Sequence, residues 1–240
     1  MSTPLRGSVT RSSAVMVICR KGDHSHQIRM ALKTLGFTNL TSVVSHGMGL
    51  ERLKTRNFQF VVFDAKRTDM TPGEFVTQAA KVEEGLIMIA ASTNPKIDDV
   101  FGLLRAGARG FLAMPFTAES LEGVVERAKE GPPFSEAVLQ APDRNAALSG
   151  VVLNNLYRLS VLMRQSRDFE SAARELPRQK ALFSESVELG LLFCEGGDDR
   201  IFRDRIIEDC VLRASAAASR LGRTRQRLRK EREVEVGDAA

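Results

Sequence analysis

The sequence predicts an α/β protein: a doubly wound parallel sheet of five strands, followed by an all-α region of about three helices. Three observations carry this. Apolar runs of strand length alternate five times with segments of helical period over residues 13–130. The runs are apolar at successive positions, as in strands covered on both faces by helices. Beyond Glu130 no strand signal remains, and apolar residues recur only at steps of three and four.

Residues 14–19 (AVMVIC) form the first strand. Residues 24–37 follow as a helix, with Ile28, Leu32 and Leu35 at helical spacing and a stop at Gly36. Residues 40–45 read as a weaker strand, 49–57 as a short helix and 58–64 (FQFVVFD) as the third strand. A helix over 71–82 is opened by Pro72, whose missing N–H suits a first turn. Residues 85–92 are the fourth strand, 97–108 a helix ended by Gly107, 110–114 the short fifth strand, and 117–130 a helix with Thr117 as N-cap. Short right-handed connections between such elements wind the sheet doubly.

Residues 131–144, with three prolines, read as a linker. The helical region, 145–232, divides into three. Residues 145–175 carry Leu148, Val152, Leu156, Leu159 and Met163 on one stripe. Residues 176–197 start a helix at Pro177 and stop at Gly196 and Gly197, and 198–232 form a long helix begun by Asp198 or Asp199. Residues 1–12 are expected to be flexible and 233–240 a disordered tail.

Composition bounds the function classes. The net charge of +5 is a mild excess, and one Tyr with no Trp weakens any case for base-stacking platforms. Cys19, Cys194 and Cys210 are far apart with no metal-ligand spacing, so neither a disulfide framework nor a zinc site is expected. With no signal core and no apolar run of transmembrane length, the sequence reads as a soluble cytoplasmic protein without a membrane partner.

In a doubly wound sheet, chemistry gathers at the carboxyl ends of the strands. Here those ends are Cys19 and Arg20, Asp64, Ala91 and Ser92, and Met114 and Pro115. The FVVFD run, the RAGARGFLAMPFT segment and the five-fold alternation resemble the receiver domain of bacterial two-component response regulators over residues 13–130. The resemblance implies a flavodoxin-like strand order, 2-1-3-4-5. It also implies a third-strand aspartate phosphorylated by a histidine kinase, two acidic residues after the first strand that bind magnesium, a Thr or Ser ending the fourth strand, and a Lys before the fifth-strand Pro that contacts the phosphoryl group.

Carried onto this chain, Asp64 stands at the acceptor position, while Cys19 and Arg20 stand where the acids belong. Ser92 is the nearest hydroxyl to the Thr/Ser position, with Ala90 or Ala91 as the alternative, and Met114 precedes Pro115 in place of the Lys. The loop from Asp64 to Gly73 is one residue longer than the family pattern. Magnesium wants several oxygen ligands, and a thiol with a guanidinium supplies none. Without metal and Lys the charge of a transferring phosphoryl group loses its main stabilisers. The sequence therefore predicts a degenerate pseudo-receiver with no cofactor and no magnesium, in which Asp64 is a strand-end carboxylate bonded to loop amides or to Arg20. Asp23 as a displaced metal ligand is the alternative.

Other candidates are weaker. His24 and His26 lie two apart on a helix and point apart, and Cys19 at an apolar strand end reads as an inert thiol. No Ser-His-Asp or Cys-His arrangement is evident, so no enzyme is expected. In the last helix Ile207, Val211, Ala214, Ala218 and Leu221 follow a four-three repeat that serves either a bundle core or a dimer seam. From Arg213 to Lys230 seven residues are basic and none acidic, among them Arg223, Arg225, Arg227 and Arg229. They form either a solvated helix end or phosphate contacts to nucleic acid. The resemblance also implies a partner face on the fourth helix, fifth strand and fifth helix: Val100, Phe101, Leu104, Phe111, Phe116, Leu121 and Val125. Together these expectations describe a phosphorylation-independent protein-interaction module with a helical region for homodimerisation or partner binding. The alternative is a nucleic-acid regulator using the basic helix.

Overall fold

The computed structural model describes residues 12–237, with side chains through residue 224. The chain divides into two compact units, Met1–Gln140 and Ala141–Ala240. In the first, β1 (Val15–Ile18), β2 (Leu40–Val43), β3 (Phe60–Asp64), β4 (Ile87–Ser92) and β5 (Gly110–Ala113) form one parallel sheet in the order β2-β1-β3-β4-β5. Between and after them run α1 (Gly22–Thr34), α2 (His46–Thr55), α3 (Pro72–Val82), α4 (Ile97–Ala106) and α5 (Ala118–Glu130).

Alternation along the strands builds two cores. Met16, Ile18, Val61, Phe63, Met88 and Ala90 enter one cluster, while Val15, Val17, Phe60, Val62, Ile87, Ile89 and Ala91 enter the other. The period of two sends successive side chains to opposite faces, and both are covered over β1, β3 and β4, which are buried at every position, whereas the edge strand β2 carries Thr41 and Ser42. The register sets Asp64 opposite Ala91 and Ser92 opposite Ala113. One edge of the sheet therefore collects the residues singled out in the sequence.

Helix α2 begins at His46, three residues earlier than its apolar spacing suggested, because Ser45 caps it by accepting the N–H of Met48. The capping box of Thr71 with Glu74 opens α3, and Thr117 with Ser120 opens α5. Within the segment expected to be a linker, a short helix, α6 (Glu136–Leu139), forms, and Phe134, Val138 and Leu139 are buried.

The second unit holds α7 (Arg144–Gln165), α8 (Glu170–Phe193), a 3-10 turn at Glu195–Gly197 and α9 (Asp199–Gly237). The first break falls at residues 166–169 rather than before Pro177, which lies inside α8. The run Ser166, Arg167, Asp168 has no apolar side chain to bury, and backbone bonds such as Arg167 N–H to Arg164 C=O tighten the chain out of the helix there. Asp198 is the cap of α9, its Oδ1 accepting the N–H groups of Arg200 and Ile201 at 3.0 and 3.3 Å. The helix runs to Gly237, into the segment expected to be a disordered tail; residues 1–11 and 238–240 lie outside the described residues.

By length and a mean hydropathy of 1.2, α7 alone among the described residues reaches the range of a membrane span. That expectation of no such run is corrected to one borderline helix, which packs against α8 and α9 within its unit.

Candidate functional site at the strand ends

Asp64 ends β3 and is 8 % exposed. Its Oδ1 accepts the N–H of Lys66 at 2.9 Å, and the Cys19 thiol lies 3.9 Å from Oδ2. Its backbone carbonyl accepts a hydrogen bond from His46 Nε2 at 2.9 Å. Of the two expected partners, the loop amide is present, whereas Arg20 is exposed and no ion pair joins it to Asp64 among the described residues.

Cys19 follows β1 and is buried. Burial pushes its thiol up, the Lys21 amide works against this, and the neighbouring Asp64 charge adds to the rise. A thiol so placed stays protonated and donates toward the carboxylate. Ser92 closes β4, buried, with Oγ accepting the Asn94 N–H at 3.3 Å and its carbonyl taking the Met114 N–H at 2.8 Å. Met114 is buried and precedes Pro115 through a cis peptide bond. Lys66 Nζ lies 3.5 Å from Thr93 Oγ1, a cation at this edge that the sequence reading did not single out.

The sequence reading also missed His46. Its ring is fully buried, stacked on Phe75 at 5.1 Å and edge-on to Phe63 at 6.0 Å. Nδ1 is 2.8 Å from Thr68 Oγ1, and Thr68 in turn accepts the His46 N–H at 3.0 Å. Beside it Asp69 accepts the Gly47 N–H at 3.1 Å and the Ser45 hydroxyl at 2.9 Å. The Gly47 amide is the main cause that holds the Asp69 carboxyl far below its ordinary range, with Thr68 and Ser45 adding to it. A Cβ at position 47 would meet that carboxylate, so any other residue there displaces the Asp69 side chain from its present place. The loop after Asp64 is thus clasped to the start of α2. The signal was Ser45 ahead of His46 and Gly47, hidden once the helix was begun at Gly49.

His24 is half-buried and His26 exposed in α1, and among the described residues no group of three or more His, Cys, Asp or Glu side chains is set to hold a metal ion. On the expected partner face Val100, Phe101, Leu104, Leu121 and Val125 are all buried and only Phe111 and Phe116 are partly exposed. Phe101 and Leu104 are therefore not open to a partner as the chain stands. In the second unit Ile207, Val211 and Leu221 are 61 %, 59 % and 59 % exposed, and Ala214 and Ala218 are exposed too. The bundle-core alternative for these residues is corrected: α9 packs through Phe202, with Arg205, Ile206 and Asp209 half-buried beside it. Arg223 is exposed, and the side chains of Arg225, Arg227 and Arg229 lie outside the described residues.

No family model matches the chain. Over 105 residues it is 32 % identical to the chemotaxis protein CheY of Pseudomonas aeruginosa, covering 42 % of this chain and 82 % of that protein. Similar solved structures include a CheY-like receiver domain protein of Methanospirillum hungatei, 22 % identical over 50 % of this chain and 99 % of that one, with a TM-score of 0.44. The chemotaxis response regulator CheY4 of Vibrio cholerae is 18 % identical over 49 % of this chain and 98 % of that one, with a TM-score of 0.45. The receiver domain of a sensor histidine kinase of Pseudomonas aeruginosa, solved with magnesium in its active-site cleft, is 18 % identical over 50 % and 99 %, with a TM-score of 0.45.

Proposed function

The chain belongs, through its N-terminal half, to the CheY-like receiver family of response regulators, and from that membership we propose a non-enzymatic signalling protein whose receiver binds a protein partner without being phosphorylated. The observation that carries this reading is the company of Asp64. The buried thiol of Cys19, the exposed guanidinium of Arg20 and the buried thioether of Met114 stand at the three positions where, by the family pattern, a metal-dependent phosphoryl transfer needs two carboxylates and an ammonium. One carboxylate with a protonated thiol is a poor donor set for magnesium, which asks for several oxygens in near-octahedral geometry. Lys66 and Arg20 bring positive charge to the edge instead, and that works against a divalent cation.

The chain then acts through surfaces. The helical unit offers the exposed stripe of Ile207, Val211, Ala214, Ala218 and Leu221 on α9, whose four-three repeat suits a like helix from a second copy. Cytoplasmic location accords with this role. Incubation of the full chain with magnesium and either beryllofluoride or acetyl phosphate tests the central claim by intact mass and fluorine NMR. No adduct at Asp64 is expected, and a stoichiometric adduct lost in Asp64→Asn would sink the reading. Light scattering of wild type against Ile207→Ser with Leu221→Ser tests the seam: a dimer reduced to a monomer is expected, and equal masses would remove the seam.

A further inference from the structure

Helix α9 is divided by charge. From Asp198, its cap, to Asp209 five residues are acidic and three basic, whereas from Arg213 to Lys230 seven are basic and none acidic. The stripe of Ile207, Val211, Ala214, Ala218 and Leu221 lies across the boundary between the two halves, with Ala214 at its middle. All five of its side chains are exposed.

The acidic half borders a groove of the second unit. Asp204, Arg205 and Glu208 line it together with Asp143, the cap of α7, and Glu195 of the 3-10 turn. Arg205 is already engaged, reaching Asp143 and Asp209 at 3.1 Å each. Glu195, Asp204 and Glu208 enter no ion pair among the described residues, so the groove keeps an excess of negative charge. On the basic half, Arg220 and Arg223 are exposed and enter none either.

These two sets of charges cannot meet within one chain. Asp204 and Arg220 stand on one continuous helix, whose rise of about 1.5 Å per residue holds them roughly 24 Å apart. In a second copy running the opposite way, a two-fold axis near Ala214 sets Ile207 against the region of Leu221. It also brings Arg220 and Arg223 of each chain to Asp204 and Glu208 of the other. Ala214 and Ala218 keep the contact narrow at the axis, since the distance between helices follows the side chains packed between them. A parallel pair would instead set the basic halves side by side, and charges flanking a helical seam decide its orientation.

We infer that two copies of the chain join through α9 in antiparallel fashion, the basic half of each α9 lying along the acidic groove of the other. The inference rests on the proposed self-association through the α9 stripe, and adds its direction and the charges that set it. The basic half then faces carboxylates and not a nucleic-acid phosphate.

By light scattering the full chain is expected to be a dimer; a monomer overturns the inference together with the self-association on which it rests. Direction is read from a nitroxide label on Thr224→Cys in a chain carrying Cys210→Ser, where Cys19 and Cys194 are buried. In an antiparallel pair the two labels stand roughly 30 Å apart, twice the rise from Ala214, whereas a parallel pair holds them about 10 Å apart. The longer dipolar distance is expected. The shorter one in a confirmed dimer overturns the antiparallel assignment and leaves self-association standing. Exchange of charge provides the second measurement, at four exposed positions whose replacement leaves the packing of the unit in place. Asp204→Arg with Glu208→Arg should raise the dimer dissociation constant at least about tenfold, because attraction becomes repulsion at both symmetric contacts. Adding Arg220→Glu and Arg223→Glu to that variant should recover most of the loss. An unchanged constant in the first variant, or no recovery in the second, overturns the inference. No phosphoryl donor is present, so an adduct at Asp64 bears on none of these outcomes.

Discussion

The two units bury their apolar residues in opposite ways. The first closes on itself: Phe58, Phe60, Phe63, Phe75 and Phe101 are each no more than 2 % exposed, and even the outer face of α4 is covered by its own chain. The second leaves Ile201, Ile207, Val211, Leu212 and Leu221 between 59 % and 66 % exposed along one helix. A folded unit buries what it can, so a row of large side chains left in water is the exception in this molecule, and it is the surface on which the proposed self-association rests. The difference separates a unit that holds these aromatic side chains inside from one whose longest helix keeps a row of large aliphatic side chains in water.

The largest expected effect tests that contrast directly. Phe60 has no exposure and sits in the second core of the sheet, so Phe60→Ala should cost about 3–5 kcal/mol through lost burial and a residual cavity. Ile207→Ala removes a side chain already in water and should change the monomer by less than about 0.5 kcal/mol. The urea dependence of amide exchange in β1 and β3 reads the first, and that in α7 and α9 reads the second. Equal costs would mean that the α9 stripe is core after all.

Glycines sharpen the contrast within helices. A Cβ at Gly190 in α8 would lie 2.7 Å from two atoms of the buried Phe202 ring, so α9 is held where it is by the absence of a side chain. Gly190→Ala should destabilise the second unit by about 1–3 kcal/mol, as overpacking does. Gly102 in α4 meets nothing within 4 Å, and Gly102→Ala should stabilise the first unit by up to about 1 kcal/mol, the ordinary helical preference for alanine. Melting curves of the two variants, displaced in opposite directions, are the expected result; a Gly190→Ala variant as stable as wild type would show that Phe202 can yield.

How far the sequence could be read follows from the same physics. Strands covered on both faces announce themselves as apolar runs, which is why the five strands and the place of Asp64 were legible from residues such as those of FVVFD. Pairings between distant polar residues were not. His46 reaches the Asp64 carbonyl from 18 residues away, and Asp69 reaches Gly47 from 22. Neither separation has a period. The break between α7 and α8 was missed because Pro177 is a strong local signal, and α8 tolerates it in its interior at the loss of one backbone hydrogen bond. The covering of Phe101 was missed for a related reason: three prolines in residues 131–144 read as a spacer, although Phe134, Val138 and Leu139 among them are apolar residues with a surface to meet.

The smallest expected effect concerns polar closure, where the units differ again. In the first unit Asp69 accepts neutral donors, chiefly the Gly47 amide with the Thr68 and Ser45 hydroxyls, and its carboxyl is held below its ordinary value of 3.8. In the second, Asp143 pairs with the guanidinium of Arg205 at 3.1 Å, both side chains partly exposed. A depressed carboxyl stabilises the folded state fully above the unfolded value and loses that contribution as pH falls through the folded one. The Asp69 contribution should therefore be constant from neutrality to about pH 5 and decline below pH 3.8, while Asp69→Asn shows a smaller loss over the same range. Salt distinguishes the two carboxylates, since amide and hydroxyl donors are little screened whereas an exposed ion pair is. Raising the salt to 1 M should leave the difference between wild type and Asp69→Asn in place and erase that between wild type and Asp143→Asn. Amide exchange at Gly47 and Ala146, each of which donates to one of these carboxylates, provides the local measurement. A salt-sensitive Asp69 would mean that the clasp at the start of α2 is held by a cation rather than by the backbone of Gly47.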